Sequence, residues 1–239
     1  MRSHRFYTAI ELLENSSLDL PPDAAHHCAQ VLRYKIGDAL TIFNGDGFDY
    51  HAQIEQIEKK KCRVKISQRY HPKNESPLKI HLVQGIARGD KMDLIIQKSI
   101  ELGVTEITPL FSERCNVKLD GKRLDKKLNH WKNVIISACE QSGRAVIPAL
   151  NAPLAVEQLN SIQDDLIYLE PTATQSIKEI AIENSATLVI GPEGGFSEKD
   201  LQKLNSVNAH GVTIGPRILR TETAGLSAVS ILQSLFGDI

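Results

Sequence analysis

The sequence predicts an α/β protein built on a parallel sheet and preceded by a small β-barrel domain. Three observations lead there. The first third of the chain reads mostly as strands separated by turns, the remainder alternates strand-like with helix-like segments, and the polar, proline-bearing stretch HPKNESP (71–77) separates the two patterns. The barrel is therefore assigned to residues 1–72, a linker to 73–77 and the α/β domain to 78–239.

In the first domain a helix is expected from Pro21-Pro22-Asp23 through Val31-Leu32, after which Ile36-Gly37-Asp38 turns into a strand over 39–44. Gly45-Asp46-Gly47 is a hairpin turn, and residues 48–58 pair with 62–70 across Lys59-Lys60-Lys61. Tyr50, Ala52 and Ile54 alternate along one strand and Cys62, Val64 and Ile66 along the other, so each should bury a single face. In the second domain 79–86 is the first strand, 90–102 a helix closed by Gly103, and 105–110 the next strand. Leu124, Leu128, Trp131 and Ile135 recur at three- and four-residue intervals, which makes 124–141 an amphipathic helix ended by Ser142-Gly143. Residues 165–170, 186–190 and 211–214 supply later strands, and the last helix carries Leu226, Val229, Ile231, Leu232, Leu235 and Phe236 on more than one stripe. Six such alternations predict a parallel sheet covered on both faces.

Composition narrows the class. The chain of 239 residues is 41% hydrophobic and 24% charged, has no apolar run approaching the roughly 18 residues of a membrane span, and begins without an apolar leader, so a cytoplasmic protein is expected. Cys28, Cys62, Cys115 and Cys139 form no metal-ligand spacing and no disulfide framework, and are expected to be reduced structural thiols. His26-His27-Cys28 does not make a metal site by itself, because adjacent helix positions point apart; no metal is expected. A net charge of −1 does not announce a nucleic-acid binder. Basic residues nevertheless cluster at Lys59-Lys60-Lys61 with Arg63 and Lys65, and at Lys118, Lys122, Arg123, Lys126, Lys127 and Lys132; each cluster reads either as a phosphate contact or as a solvated face.

Two loops near the carboxyl terminus carry the functional signal. Each follows a short β-rich run, opens on a glycine (Gly191, Gly215) and leads into a helix, as at the ligand crevice of α/β sheets. In GPEGGF (191–196) the three glycines permit positive φ and close backbone approach, Pro192 fixes a turn, and Ser197 with Asp200 forms an acidic capping box. The pattern is neither GxGxxG nor a P-loop. In the second loop Arg217, Arg220 and Glu222 lie between a strand and an apolar helix, where charge is costly unless paired or set against a ligand, and Thr221 or Thr223 is available as a cap. Two such loops side by side would make a site.

The strings GPEGGF and IGPRILRTETA, together with KMDLIIQKSIELGVTEITPLFSERC (91–115), CEQSGR (139–144) and HHCAQVLRYKIGD (26–38), resemble the small-subunit ribosomal RNA uridine-N3 methyltransferases, the RsmE family within the SPOUT methyltransferases. The resemblance covers nearly the whole chain. It implies a trefoil-knotted parallel-sheet domain behind a PUA-like RNA-binding barrel, and a homodimer packed through the knotted regions. The implied cofactor is S-adenosyl-L-methionine (SAM), held by Leu169, Glu170, Pro171, Gly191, Pro192, Glu193, Gly194, Gly195, Ile214, Gly215, Arg217, Ile218, Leu219, Thr223 and Ala224. The implied partner is 16S ribosomal RNA, either naked or within the small subunit.

For that reaction the imide nitrogen of uracil must lose a proton, and the resulting charge spreads onto two carbonyl oxygens. A guanidinium suits the task of stabilising it, which singles out Arg220; Glu222 or Glu170 would act as base or hold the arginine. Arg114 and Arg144, which end a strand and a helix, are assigned with Lys59, Lys60, Lys61 and Lys126 to RNA contact. Two alternatives stay open at this point: an RNA-binding module without catalysis, and a nucleotide-binding metabolic enzyme.

Overall fold

The computed structural model describes residues 4–117, 119–162 and 165–239. Contacts divide the chain into two units, Met1–Glu75 with Cys139–Ile147, and Ser76–Ala138 with Pro148–Ile239.

The first unit contains, among its described residues, β1 (Arg5–Tyr7), β2 (Ser17–Asp19), α1 (Pro22–His26) continuing into one π-helical turn (His27–Val31), β3 (Ala39–Phe43), β4 (Asp49–Ile57) and β5 (Cys62–Tyr70). The five strands form one sheet in the order β1-β3-β4-β5-β2, with β1 parallel to β3 and the other pairs antiparallel. Pro22 opens α1, where the absent N–H costs nothing. Gly45 and Gly47 take φ of 95° and 91° in the β3–β4 turn, a conformation other residues resist. The expected alternation holds: Tyr50, Ala52, Ile54, Cys62, Val64 and Ile66 are buried in one cluster with Phe6, Leu40, Ile42 and Cys28.

Residues 139–147 belong to this unit for an electrostatic reason. Arg5 makes a bidentate pair with Asp49 at 3.1 and 2.5 Å and donates to the carbonyls of Cys139 (2.6 Å) and Arg144 (3.1 Å). Glu140 accepts from the Tyr7 N–H at 2.9 Å. One buried cation thus satisfies a carboxylate and two carbonyls that would otherwise be costly to bury. All four cysteines are unpaired. Burial pushes the Cys139 thiol up to about 12, so it is a poor nucleophile at neutral pH.

The second unit runs β6 (Lys79–Gly85), α2 (Lys91–Glu101), β7 (Glu106–Phe111), α3 (Gly121–Ser142), β8 (Ala149–Leu150), β9 (Leu154–Ala155), β10 (Leu166–Leu169), β11 (Ser185–Ile190), α4 (Glu198–Ser206), β12 (His210–Val212) and α5 (Thr221–Phe236); the last residues of α3, from Cys139, are those of the first unit. The sheet order is β12-β10-β11-β6-β7-β8 with β9 also beside β7, and every pairing is parallel. The strands read as apolar runs because both faces are covered. On one face Val83, Leu110, Tyr168 and Val189 pack with Val156, Leu159, Phe196 and Leu204. Elsewhere α5 lies against β6 and β11 and packs on α2. Two of the six expected crossovers are short 3-10 turns, Val156–Ser161 and Ile177–Glu179, since those polar segments lack a helical apolar stripe. Among the described residues no helix is long and apolar enough to cross a membrane.

Candidate active site

Strand β10 lies between β11 and β12, so three loops leave neighbouring carboxyl ends side by side: the two marked by glycine motifs and the one at residues 169–171 that only the resemblance had implied. They surround a cavity of about 520 Å³ together with Lys91 from the start of α2 and Arg114 from the segment after β7. Leu169, Ile190, Val212, Ile214 and Leu219 give it apolar walls, and the main chain of Gly191–Gly195 gives it a polar one. Of the residues the resemblance assigned to the cofactor, Leu169, Glu170, Pro171, Gly191 to Gly195, Ile214, Gly215, Arg217, Ile218, Leu219 and Ala224 all line the cavity. Thr223 does not. It is exposed, because two residues on from the cavity-lining Thr221 a helix has turned about 200°.

The three glycines of the first loop do different work from that expected. Positive φ falls on Gly195 alone, at 66°. A Cβ on Gly191 would meet the Gly195 backbone at 3.3 Å, and one on Gly194 would meet Arg114 Cβ at 3.1 Å, so those two are small for close packing. The Gly195 N–H closes the turn onto Pro192 O at 2.9 Å. The Ser197–Asp200 capping box is present, with the Asp200 N–H donating to Ser197 Oγ at 3.1 Å and the Ser197 N–H to Asp200 Oδ2 at 3.1 Å. It starts α4 and thereby fixes where the glycine loop ends.

Arg217 and Arg220 are exposed on the second loop, so the expected burial cost does not arise. Between them Ile218 is 86% exposed. Neither threonine caps α5, whose N-cap position is Arg220 without a side-chain cap. The Thr221 hydroxyl is instead committed to Gly191 O at 2.7 Å. Glu222 was expected to act as base or to hold Arg220; its carboxylate lies 3.4 Å from Lys91 Nζ. Its own backbone N–H and then Lys91 hold its pKa below the ordinary carboxylate range, with Arg220 contributing least. Lys91 also lies 3.9 Å from Glu193, which accepts from the Arg88 N–H at 3.0 Å. Glu170 accepts from Thr172 N–H and Oγ1 at 3.2 and 2.9 Å, which shapes the turn after β10. Lys91 was missed by sequence reasoning. Its signal was positional: it opens the helix after β6, and sheets of this kind place ligands at the carboxyl ends of their strands.

The residues assigned to RNA are divided between the two units. Lys59, Lys60 and Lys61 are exposed at the β4–β5 turn of the first unit, Lys126 is exposed on α3, and Lys118 lies outside the described residues. Arg114 is at the cavity, donating to Gly194 O at 3.1 Å. Arg144 is a correction. It is 3% exposed and paired with Glu75 at 2.7 Å, so its guanidinium holds the first unit together and is not presented to a phosphate.

A parallel sheet with a loop-lined cavity at its carboxyl ends, in a chain that also contains a separate β-sheet unit, defines a class. A family model of the RNA methyltransferase domain matches residues 74–233, and one of the RNA methyltransferase PUA domain matches residues 20–67. Over 242 residues the chain is 39% identical to the ribosomal RNA small subunit methyltransferase E of Buchnera aphidicola (from Schizaphis graminum), covering 100% of this chain and 98% of the relative. It is 30% identical to the Bacillus subtilis protein of the same name, covering 95% and 93%. The chain belongs to the ribosomal RNA small subunit methyltransferase E family. Among solved structures, that of the Neisseria gonorrhoeae enzyme of this name, bound to S-adenosyl methionine, has a TM-score of 0.93 at 37% identity and full coverage of both chains. A Legionella pneumophila protein in complex with bound SAM has a TM-score of 0.96 at 40% identity, again over the whole of both chains.

Proposed function

We propose that this chain is an enzyme that transfers a methyl group from SAM to N3 of a uridine in 16S ribosomal RNA. The observation that carries the reading is the cavity at the ends of β10, β11 and β12, in a chain that aligns from end to end with structures solved with SAM. The residues fit that cofactor on their own geometry. About 520 Å³ is within the range of small-molecule sites, the walls are apolar, and Gly191, Gly194 and Gly195 bring main chain without side chains to the lining. Residues 169–171, 191–195 and 214–219, with Ala224, would hold it. Bound SAM would supply an electrophilic methyl group on a sulfonium.

Arg220 lines the cavity and carries a permanently charged, forked donor, suited to the two uracil oxygens that share the charge of the N3 anion. Glu222, held below the ordinary carboxylate range, is a weak base, so its part is to hold Lys91. Lys59, Lys60 and Lys61, with Lys126 and Arg114, contact RNA phosphates and set affinity without reading sequence. The family resemblance extends the reading to a knotted cofactor loop, a homodimer and cytoplasmic action on naked RNA or on the small subunit.

Calorimetric titration with SAM, its demethylated product and NAD tests the cofactor. SAM and the product should bind, with activity unaffected by excess chelator. Mapping of methylated nucleotides in 16S RNA from cells with and without the protein tests the substrate, and one N3-methyluridine should vanish. Binding of NAD in place of SAM, or RNA affinity without SAM affinity, would overturn the reading.

A further inference from the structure

Beneath the glycine loop lies a buried polar relay that neither the family comparison nor the cavity itself assigns. Gln84, the penultimate residue of β6, is 0% exposed. Its Nε2 donates to Gly85 O and to Thr221 Oγ1, both at 3.0 Å. A carbonyl only accepts, so the amide nitrogen must face Gly85, and the orientation of the amide follows. Thr221 Oγ1 therefore receives one proton and gives its own to Gly191 O, at 2.7 Å. The relay has a fixed direction: strand β6 sets a side-chain amide, the amide sets a hydroxyl at the first turn of α5, and the hydroxyl sets the carbonyl that opens the glycine loop.

Stability alone does not account for Gln84. Its Oε1 is buried with no hydrogen-bond partner among the described residues. A Cβ on Gly225 would come within 3.1 Å of it, a tight contact that the glycine in the interior of α5 avoids, although glycine is the residue least favourable there apart from proline. A methionine of similar volume would remove the orphaned carbonyl but would also take the donor from Gly85 O and Thr221 Oγ1, so a gain and a loss of similar kind oppose each other. The amide is thus retained at the expense of both a satisfied core and helix propensity. What it gains is control of the Gly191 carbonyl and of the peptide after it.

We propose that Gln84 is a positioning residue that acts through Thr221 to hold the Gly191–Pro192 peptide in its cofactor-binding orientation. This rests on the SAM reading of the cavity. Gln84 touches no ligand itself; it preorganises main chain that would.

The test is Gln84→Met, with Thr221→Val and Thr221→Ser beside it. Calorimetry should show the SAM dissociation constant raised about ten-fold in Gln84→Met and Thr221→Val, the scale expected for a lost buried hydrogen bond, and within two-fold of wild type in Thr221→Ser, which keeps the hydroxyl. The melting temperature of Gln84→Met should change little, because removing the orphaned carbonyl offsets the donor taken from Gly85 O and Thr221 Oγ1. Hydrogen exchange of the 191–196 amides in the ligand-free proteins should be faster in Gln84→Met and Thr221→Val. A merely structural glutamine would lower melting temperature and affinity together. Unchanged affinity or unchanged exchange in a folded Gln84→Met, or a Thr221→Ser as defective as Thr221→Val, would overturn the proposal. Failure of wild type to bind SAM would instead overturn the functional reading, while the exchange comparison would still decide whether the relay orders the loop.

Discussion

Arg220 and Glu222 stand two residues apart at the start of α5, and their surroundings give them different work. Glu222 sits against Lys91 with its pKa depressed, so it is ionised throughout the neutral range and protonates only as pH falls below the ordinary carboxylate range near 4.5. The sign matters: any stability from the pair is present at neutral pH and lost in acid, and no limb of a neutral rate profile belongs to this group. The Arg220 guanidinium makes no hydrogen bond or ion pair among the described residues and is exposed at the cavity, which leaves it for the substrate. Arg220→Ala should keep SAM affinity and lose about a hundred- to a thousand-fold in single-turnover rate, the usual cost of one preorganised charge-stabilising group. The deficit should shrink as pH rises and the imide anion forms unaided, and Arg220→Lys should recover only part of the rate because it loses the fork. A deficit confined to SAM affinity would assign the residue to the cofactor.

At the scale of elements, the junction of β6 with the glycine loop is the tightest packing around the site. A Cβ on Gly85 would lie 2.7 Å from the Gly191 carbonyl carbon and closer still to Pro192 N, both backbone atoms that cannot swing aside. Gly85→Ala should therefore cost roughly 1–3 kcal/mol or more by overpacking, and weaken SAM binding, as melting temperature and calorimetry would show. A variant with wild-type stability and affinity would mean that the loop yields freely. Nothing in the sequence marked Gly85, because its constraint comes from residues more than a hundred positions away. The strands themselves were legible: apolar runs over 79–85, 166–169 and 185–190 announce a parallel sheet, and the period-two alternation of β4 and β5 announces a half-buried one. The glycine loop and its capping box were legible too, since those signals are local. Strand order was not, and it is strand order that puts the loop after β10 between the other two and brings Lys91 to Glu222. Arg144 was misread for the same reason: its partner Glu75 is remote in sequence, and a charged helix end looks the same whether it faces solvent or is buried against a carboxylate.

For the whole molecule, α5 separates the two apolar stripes that the sequence showed only as a surplus. Gly225, Ala228, Val229 and Leu232 are buried within the chain, so this stripe faces its own sheet. Leu226, Ile231 and Phe236 are only half-buried, Leu235 is 46% exposed, and Ile218 on the preceding loop is almost bare. A homodimer that covers this second stripe would bring a partner surface to the same segment that lines the cofactor cavity, which is why cofactor affinity and association should be linked. Leu232→Glu cannot test this, because Leu232 is 0% exposed and a charge buried there would unfold the monomer first. Leu235→Glu can. Its side chain leaves the monomer core nearly untouched, so the melting temperature of the isolated chain should change little, whereas an unpaired carboxylate at the centre of a dimer contact should abolish association. Sedimentation at micromolar concentration should show a dimeric wild type and a monomeric Leu235→Glu with weaker SAM binding. A monomeric wild type, or a variant that still dimerises, would mean that the second stripe is ordinary exposed apolar surface and that each chain completes its site alone.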